Sequence, residues 1–283
     1  MGDYFSGLYF KCQSENETLA VIPAFHKRGG VNSSSVQLIC DEGAWNFDLP
    51  YERFRVFNGK FSFKIGENKF DNEGLTLSLE SKECKVFGYL KFGRLSPIRY
   101  DVMGPFAYVP YMECRHSVLS MKHSVNGEIY VNGRSYCFRD GLGYTEGDRG
   151  RSFPKRYAWT QCFFDKGSIM LSVADIPLLS FDFTGIICVI HYSGREYRLA
   201  TYLGAKAVKI KDGEIIIVQG DKSLAVRLIE KRGKPLYAPQ NGDMKRIIHE
   251  SASCLASYRF CENKRVIFEF ESERSSFEYE YSE

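Results

Sequence analysis

Apolar and polar residues alternate with a period of two along most of this chain. Val266-Ile267-Phe268-Glu269-Phe270-Glu271 is one such run, the pattern of a half-buried strand in an antiparallel sheet. Tyr157-Ala158-Trp159-Thr160-Gln161-Cys162-Phe163-Phe164 is another, and its period places Tyr157, Trp159 and Gln161 on one face. Turn dipeptides punctuate the runs. Asn58-Gly59, Asn126-Gly127, Asn132-Gly133 and Asp212-Gly213 each stand between strand-like segments, the sequence signal of a tight hairpin. The spacing reads as helical in two short stretches, 115–122 and 245–256. The chain is therefore predicted to be all-β, with many short antiparallel strands, few short helices, and a barrel or sandwich architecture.

The pattern repeats itself. Tyr9-Phe10-Lys11, a turn and Leu19-Ala20-Val21-Ile22-Pro23 match Gln161-Cys162-Phe163-Phe164, a turn and Ile169-Met170-Leu171-Ser172-Val173. Pro105 to Ser117, ending in Met112-Glu113-Cys114-Arg115-His116-Ser117, is echoed by Pro235-Leu236-Tyr237-Ala238-Pro239 and Met244-Lys245-Arg246-Ile247-Ile248-His249-Glu250-Ser251. An internal duplication of two similar barrels accounts for this, divided as 1–144 and 145–283. Closed barrels hide strand edges, and about eight strands leave room for one small ligand. The second-half pair His249-Glu250 sets a histidine near the place of His116, which favours a repeated structural job for it.

Composition narrows the picture. The 283 residues include 22 Phe and 18 Tyr, ample for a strand-rich core. With 38 basic and 35 acidic residues, the net charge of +3 favours neither nucleic acid nor a membrane surface as partner. The nine cysteines show no Cys-x-x-Cys pair, so reduced, mostly buried thiols are expected and no metal centre. The chain opens straight into a strand pattern, and no apolar run approaches the roughly 20 residues of a spanning helix. Cytoplasm is the simplest compartment. No cofactor is implied: Gly141-Leu142-Gly143 lacks the third glycine of a dinucleotide loop, and no phosphate loop, His-Glu-x-x-His or Gly-x-Ser-x-Gly is present.

The chemistry concentrates between Gly143 and Gln161. Glu146, Asp148, Arg149, Arg151, Lys155 and Arg156 crowd there with glycines and a Phe153-Pro154 step, directly ahead of the aromatic strand. Placed charges beside a flat apolar wall suit a ligand site. The same charges also suit a structural ion network closing a turn between domains. Both readings stand at this point, as do core and wall roles for Trp159.

This block, with Gly150, Phe153-Pro154, Trp159 and Gln161, resembles the tocopherol cyclase family. So do Gly104-Pro105-Phe106, Pro110, Met112-Glu113-Cys114, His116, Leu119-Ser120-Met121, His123 and Gly127, and the opening Tyr4-Phe5, Gly7 and Tyr9-Phe10-Lys11. The resemblance implies kinship with carotenoid hydratases and with lipocalin-like natural-product cyclases and Diels–Alderases. It implies a pair of lipocalin-like barrels with a hydrophobic small-molecule ligand, and ring closure or isomerisation without a redox cofactor. One position departs: Arg149 stands where the family usually has Trp. A cation beside Asp148 favours the carboxylate, which leaves Glu146 as the preferred acid.

Ring closure by alkene protonation needs a protonated acid, an aromatic wall for the cation, and a base for the phenol proton. The expected catalytic residues are Glu146, Asp148 and His123. The expected substrate contacts are Arg149, Arg151, Phe153, Tyr157, Trp159, Gln161 and His116. A non-catalytic carrier of an apolar ligand on the same fold is the rival reading.

Overall fold

The structure, a computed structural model, describes residues 2–51, 54–56, 61–110, 112–178, 181–230 and 232–281; the Asn58-Gly59 turn lies outside the described residues. The chain forms two compact units. One comprises residues 1–97, 113–153 and 236–247, the other 98–112, 154–235 and 248–283. The expected dividing line after residue 144 falls inside a strand, Arg134–Gly150.

The first sheet uses β1 (Tyr4–Gln13), β2 (Thr18–Arg28), β3 (Val31–Cys40), β4 (Ala44–Leu49), β5 (Phe54–Val56), β6 (Ser62–Ile65), β7 (Asn68–Asp71), β8 (Gly74–Glu80), β9 (Lys85–Phe92), β10 (Cys114–Val131) and β11 (Arg134–Gly150). Their order is β4-β3-β2-β1-β11-β10-β9-β8-β7-β6-β5. The second uses β12 (Tyr157–Phe164), β13 (Gly167–Leu178), β14 (Phe181–Tyr192), β15 (Arg195–Ala200), β16 (Lys206–Lys211), β17 (Glu214–Gln219), β18 (Lys222–Leu228), β19 (Lys234–Gln240), β20 (Asp243–Glu262) and β21 (Arg265–Tyr279). Its order is β15-β14-β13-β12-β21-β20-β18-β17-β16, with β19 on β20. Both paths share one plan: a four-strand meander whose first strand pairs with the last strand of a long hairpin. These are two tandem lipocalin-like antiparallel β-barrels, and the duplication is visible in their topology.

Two expectations fail together, for one reason. Residues 115–122 and 245–256 are not helices; they lie within β10 and β20. Register shifts interrupt β10 between Val118 and Ser120 and between Ser120 and His123, and β20 between Ser251 and Cys254 and between Cys254 and Ala256. Each bulge offsets the alternation, so buried residues recur at three- and four-residue spacing without any helix. Asn126-Gly127 is likewise no turn. It sits inside β10 at a further shift, and a side chain on Gly127 would meet the Tyr89 carbonyl oxygen at 2.4 Å. Asn132-Gly133 and Asp212-Gly213 do turn their hairpins, with positive φ at both residues of each.

Alternation sorts the residues that matter. On β1, Phe10 and Cys12 enter the first core; on β12, Ala158 and Cys162 enter the second. Tyr9 and Lys11 point the other way from β1, as Tyr157, Trp159, Gln161 and Phe163 do from β12, and all six are buried too. These strands are thus covered on both faces. No helix among the described residues is long and apolar enough to cross a membrane.

Where β11 ends, Gly150 has φ 156° and faces Cys114, and a Cβ there would stand 2.0 Å from the Glu113 carbonyl oxygen. Gly150→Ala must separate the two strands at that rung. We expect a loss of about 2 kcal/mol or more, read as a lower urea midpoint at unchanged slope.

Candidate acid–base site

Three strands build the site. In the β1–β11 ladder Gly7 pairs with Asp148, Tyr9 with Glu146 and Phe10 with Thr145. In the β10–β11 ladder His116 pairs with Asp148 and Val118 with Glu146. Thr145 therefore shares the core side with Phe10, while Tyr144, Glu146 and Asp148 share the opposite side with His116. The first half of the expected polar knot is a strand, and its two acids are neighbours because two residues is the strand repeat.

The imidazole of His116 lies between the acids. Its Nδ1 is 2.9 Å from Asp148 Oδ1, a hydrogen bond. Its Nε2 is 3.1 Å from Glu146 Oε2, close enough for an ion pair but outside hydrogen-bond alignment. The Tyr144 hydroxyl donates to the same Oε2 at 2.5 Å. The side chains are 10% exposed for His116, 6% for Glu146 and 20% for Asp148, so access runs over Asp148. Burial disfavours the charged ring, but the Glu146 and Asp148 carboxylates outweigh it and hold the His116 pKa well above the ordinary histidine value. Burial and then Glu146 push the Tyr144 phenol well above its usual range, so it stays a donor. Burial and then Asp148 push the Cys114 thiol up, so Cys114 offers no thiolate nucleophile.

The other expected residues fall differently. His123 is on the core side, paired with Gly143, its ring 4.7 Å from Phe92 and its Nδ1 3.0 Å from Ser120 Oγ. Burial pushes its pKa down to about 4. The structure does not bring it to the acids. Arg149 is exposed and points to the face opposite Asp148, because it is the next residue along the strand. The cation beside Asp148 is His116, not Arg149. Arg151 is also exposed. Phe153 meets Phe5 edge-on with centroids 5.6 Å apart, and Phe5 shares a β1 face with Gly7. In the second unit the Tyr157 hydroxyl donates to Glu278, which pairs with both Trp159 and Glu250.

That ladder corrects the histidine repeat. Trp159, Glu278 and Glu250 occupy the rung that Gly7, Asp148 and His116 occupy in the first unit. Glu250 is the counterpart of His116, and His249 is exposed on the other face. Sequence reasoning also missed Tyr144 and Gly7. The signal for Tyr144 was there: extending the strand period back from Asp148 through Glu146 reaches it.

The donor atoms of His116, Glu146 and Asp148 lie within 4.8 Å of one another, and such residue types can hold a divalent cation. Here each ring nitrogen faces a different carboxylate. That is the geometry of an ion-paired imidazolium, not of ligands converging on a point.

Comparison with known proteins agrees with the fold. The family model described as "Tocopherol cyclase-like" matches residues 79–279. Among solved structures, kievitone hydratase from Nectria haematococca superposes with a TM-score of 0.57 at 11% identity, covering 98% of this chain and 89% of that one. CghA with Sch210972 gives 0.59 at 7% identity, over 98% and 88%. A putative AttH from Nitrosomonas europaea gives 0.54 at 8%, over 100% and 93%. At such identities the likeness shows the fold. No curated protein sequence matches the chain.

Proposed function

Because the chain belongs to the tocopherol cyclase-like family, we propose that it cyclises or isomerises an apolar, prenylated or polyketide-like small molecule bearing a phenol or enol, by acid–base catalysis at His116, Asp148 and Glu146. The observation that carries this is the His116 ring, held through Nδ1 on Asp148 while its Nε2 stands 3.1 Å from Glu146 Oε2 outside an aligned hydrogen bond.

The reaction follows from matched acidities. A proton moves efficiently between groups of similar pKa, and the Glu146 and Asp148 carboxylates, outweighing burial, move the His116 pKa upward in the direction of a phenol's. Such a ring is a weak acid toward an unactivated alkene, and Glu146 accepts a hydrogen bond from Tyr144 where the sequence suggested a donor. His116 gives its Nε2 proton to carbon while Nδ1 stays hydrogen-bonded to Asp148. The oxygen then closes on the activated carbon, or the double bond shifts, and the neutral ring takes the substrate's O–H proton at Nε2. Nε2 ends protonated as it began, so no proton is consumed. Phe153 is proposed to contact the apolar body.

Gly7 supports a substrate over Asp148. Its backbone does not require glycine, and a Cβ would meet Pro23 O at 3.4 Å and Ala24 Cβ at 3.5 Å, ordinary contacts. Glycine weakens a strand, so its use here is explained by the space it leaves beside Asp148. We expect Gly7→Ala to melt no lower than wild type and Gly7→Val to raise KM about tenfold or more. Kinetics and thermal melts on the two variants separate space from stability.

The proposal is tested by native mass spectrometry of protein from its own cells and extraction of bound material, followed by turnover assays on that scaffold. A phenolic or enolic ligand converted by wild type and not by Glu146→Gln supports it. A ligand returned unchanged by wild type favours the carrier.

A further inference from the structure

We infer that Tyr144 is a positioning residue for the acid–base pair: by donating to Glu146 Oε2 it keeps the shared proton on the His116 ring. This deepens the acid–base reading above, and its turnover consequence rests on that reading.

Glu146 Oε2 is addressed from two sides, by the Tyr144 hydroxyl at 2.5 Å and by His116 Nε2 at 3.1 Å. A proton on Nε2 can stay on the ring or pass to that oxygen. In a buried site the outcome depends on how well the bare carboxylate is satisfied, since an unpaired buried charge is costly. The phenol supplies that satisfaction, and its own proton is held by burial. Tyr144 and Glu146 are two apart on β11, so the strand fixes them side by side. The groups facing His116 are Asp148, Glu146 and Tyr144 from β11, Cys114 from its own strand, and Tyr9 from β1 with the buried Lys11 beyond it. Among them Tyr144 donates, as a neutral phenol, to the oxygen that competes for the ring proton.

The experiment is nitrogen-15 NMR of the histidine rings in the full chain, whose five histidines keep the spectrum assignable. Wild type should show His116 as imidazolium at neutral pH. In Tyr144→Phe its ring signals should move toward those of a neutral ring at the same pH, and the pair should titrate at higher pH. In Glu146→Gln, adding Tyr144→Phe should leave His116 unmoved, because the acceptor through which the phenol acts is gone. Replacing Tyr144 by 4-aminophenylalanine weakens the donor and keeps the ring's shape, and it should move the signals the same way by less. That arm decides the matter if Tyr144→Phe does not fold. His116 signals unchanged by both Tyr144 replacements would overturn the inference, whatever the turnover. Shifts as expected in a protein without turnover would uphold it and sink the enzymatic reading instead.

Discussion

His116→Gln protein should fold, bind the apolar substrate, and lose turnover by about 10²–10⁴-fold, the usual contribution of a positioned acid–base group. Glutamine keeps a hydrogen bond to Asp148 but cannot carry the proton. The loss should fall on kcat, with KM little changed, because the proposed reaction uses the ring for proton transfer and not for holding the apolar body. Asp148→Asn should fall in the same range, and the double variant should be hardly worse than either single one, since the two groups act as a unit. A His116→Gln enzyme within threefold of wild type would remove the ring from the chemistry. Loss of binding together with turnover would make it a structural residue.

Stability should peak near pH 6.5 and fall on both sides, with a different histidine responsible for each limb. The pKa of His116 is raised in the folded protein, so its contribution is complete below the unfolded value of about 6.5 and is lost as pH rises toward the folded one. His123 is depressed to about 4, so its contribution is complete above about 6.5 and is lost as pH falls toward 4. Each limb has a limiting slope of about 1.4 kcal/mol per pH unit for one proton. Urea unfolding at pH 5, 6.5 and 8 measures it. His116→Gln should flatten the alkaline limb and spare the acid limb; His123→Gln should do the reverse. An alkaline limb unchanged in His116→Gln would show that the ring is not charged in the folded state.

Which side chains share a strand face was legible because strands keep strict parity. Glu146 and Asp148 two apart, and Tyr157, Trp159 and Gln161 at the same spacing, declare a shared face as soon as the strand is recognised. The duplication was legible at its start, where Tyr9 and Gln161 do occupy matching rungs. It misled at His249, because one residue of offset turns a buried position into an exposed one. Arg149 misled for the same reason, being adjacent to Asp148 in sequence and on the other side of the sheet.

From its residues alone the chain determined its all-β class, the alternation of its strands, the Asn132-Gly133 and Asp212-Gly213 turns and the family motifs, because each depends on a few consecutive side chains. The tertiary structure decided what depends on pairing across distance. The β10–β11 register set His123 against Gly143 on the core side and His116 against Asp148, 32 residues away. Their mutual field, and not the composition of either segment, puts the charge on the ring.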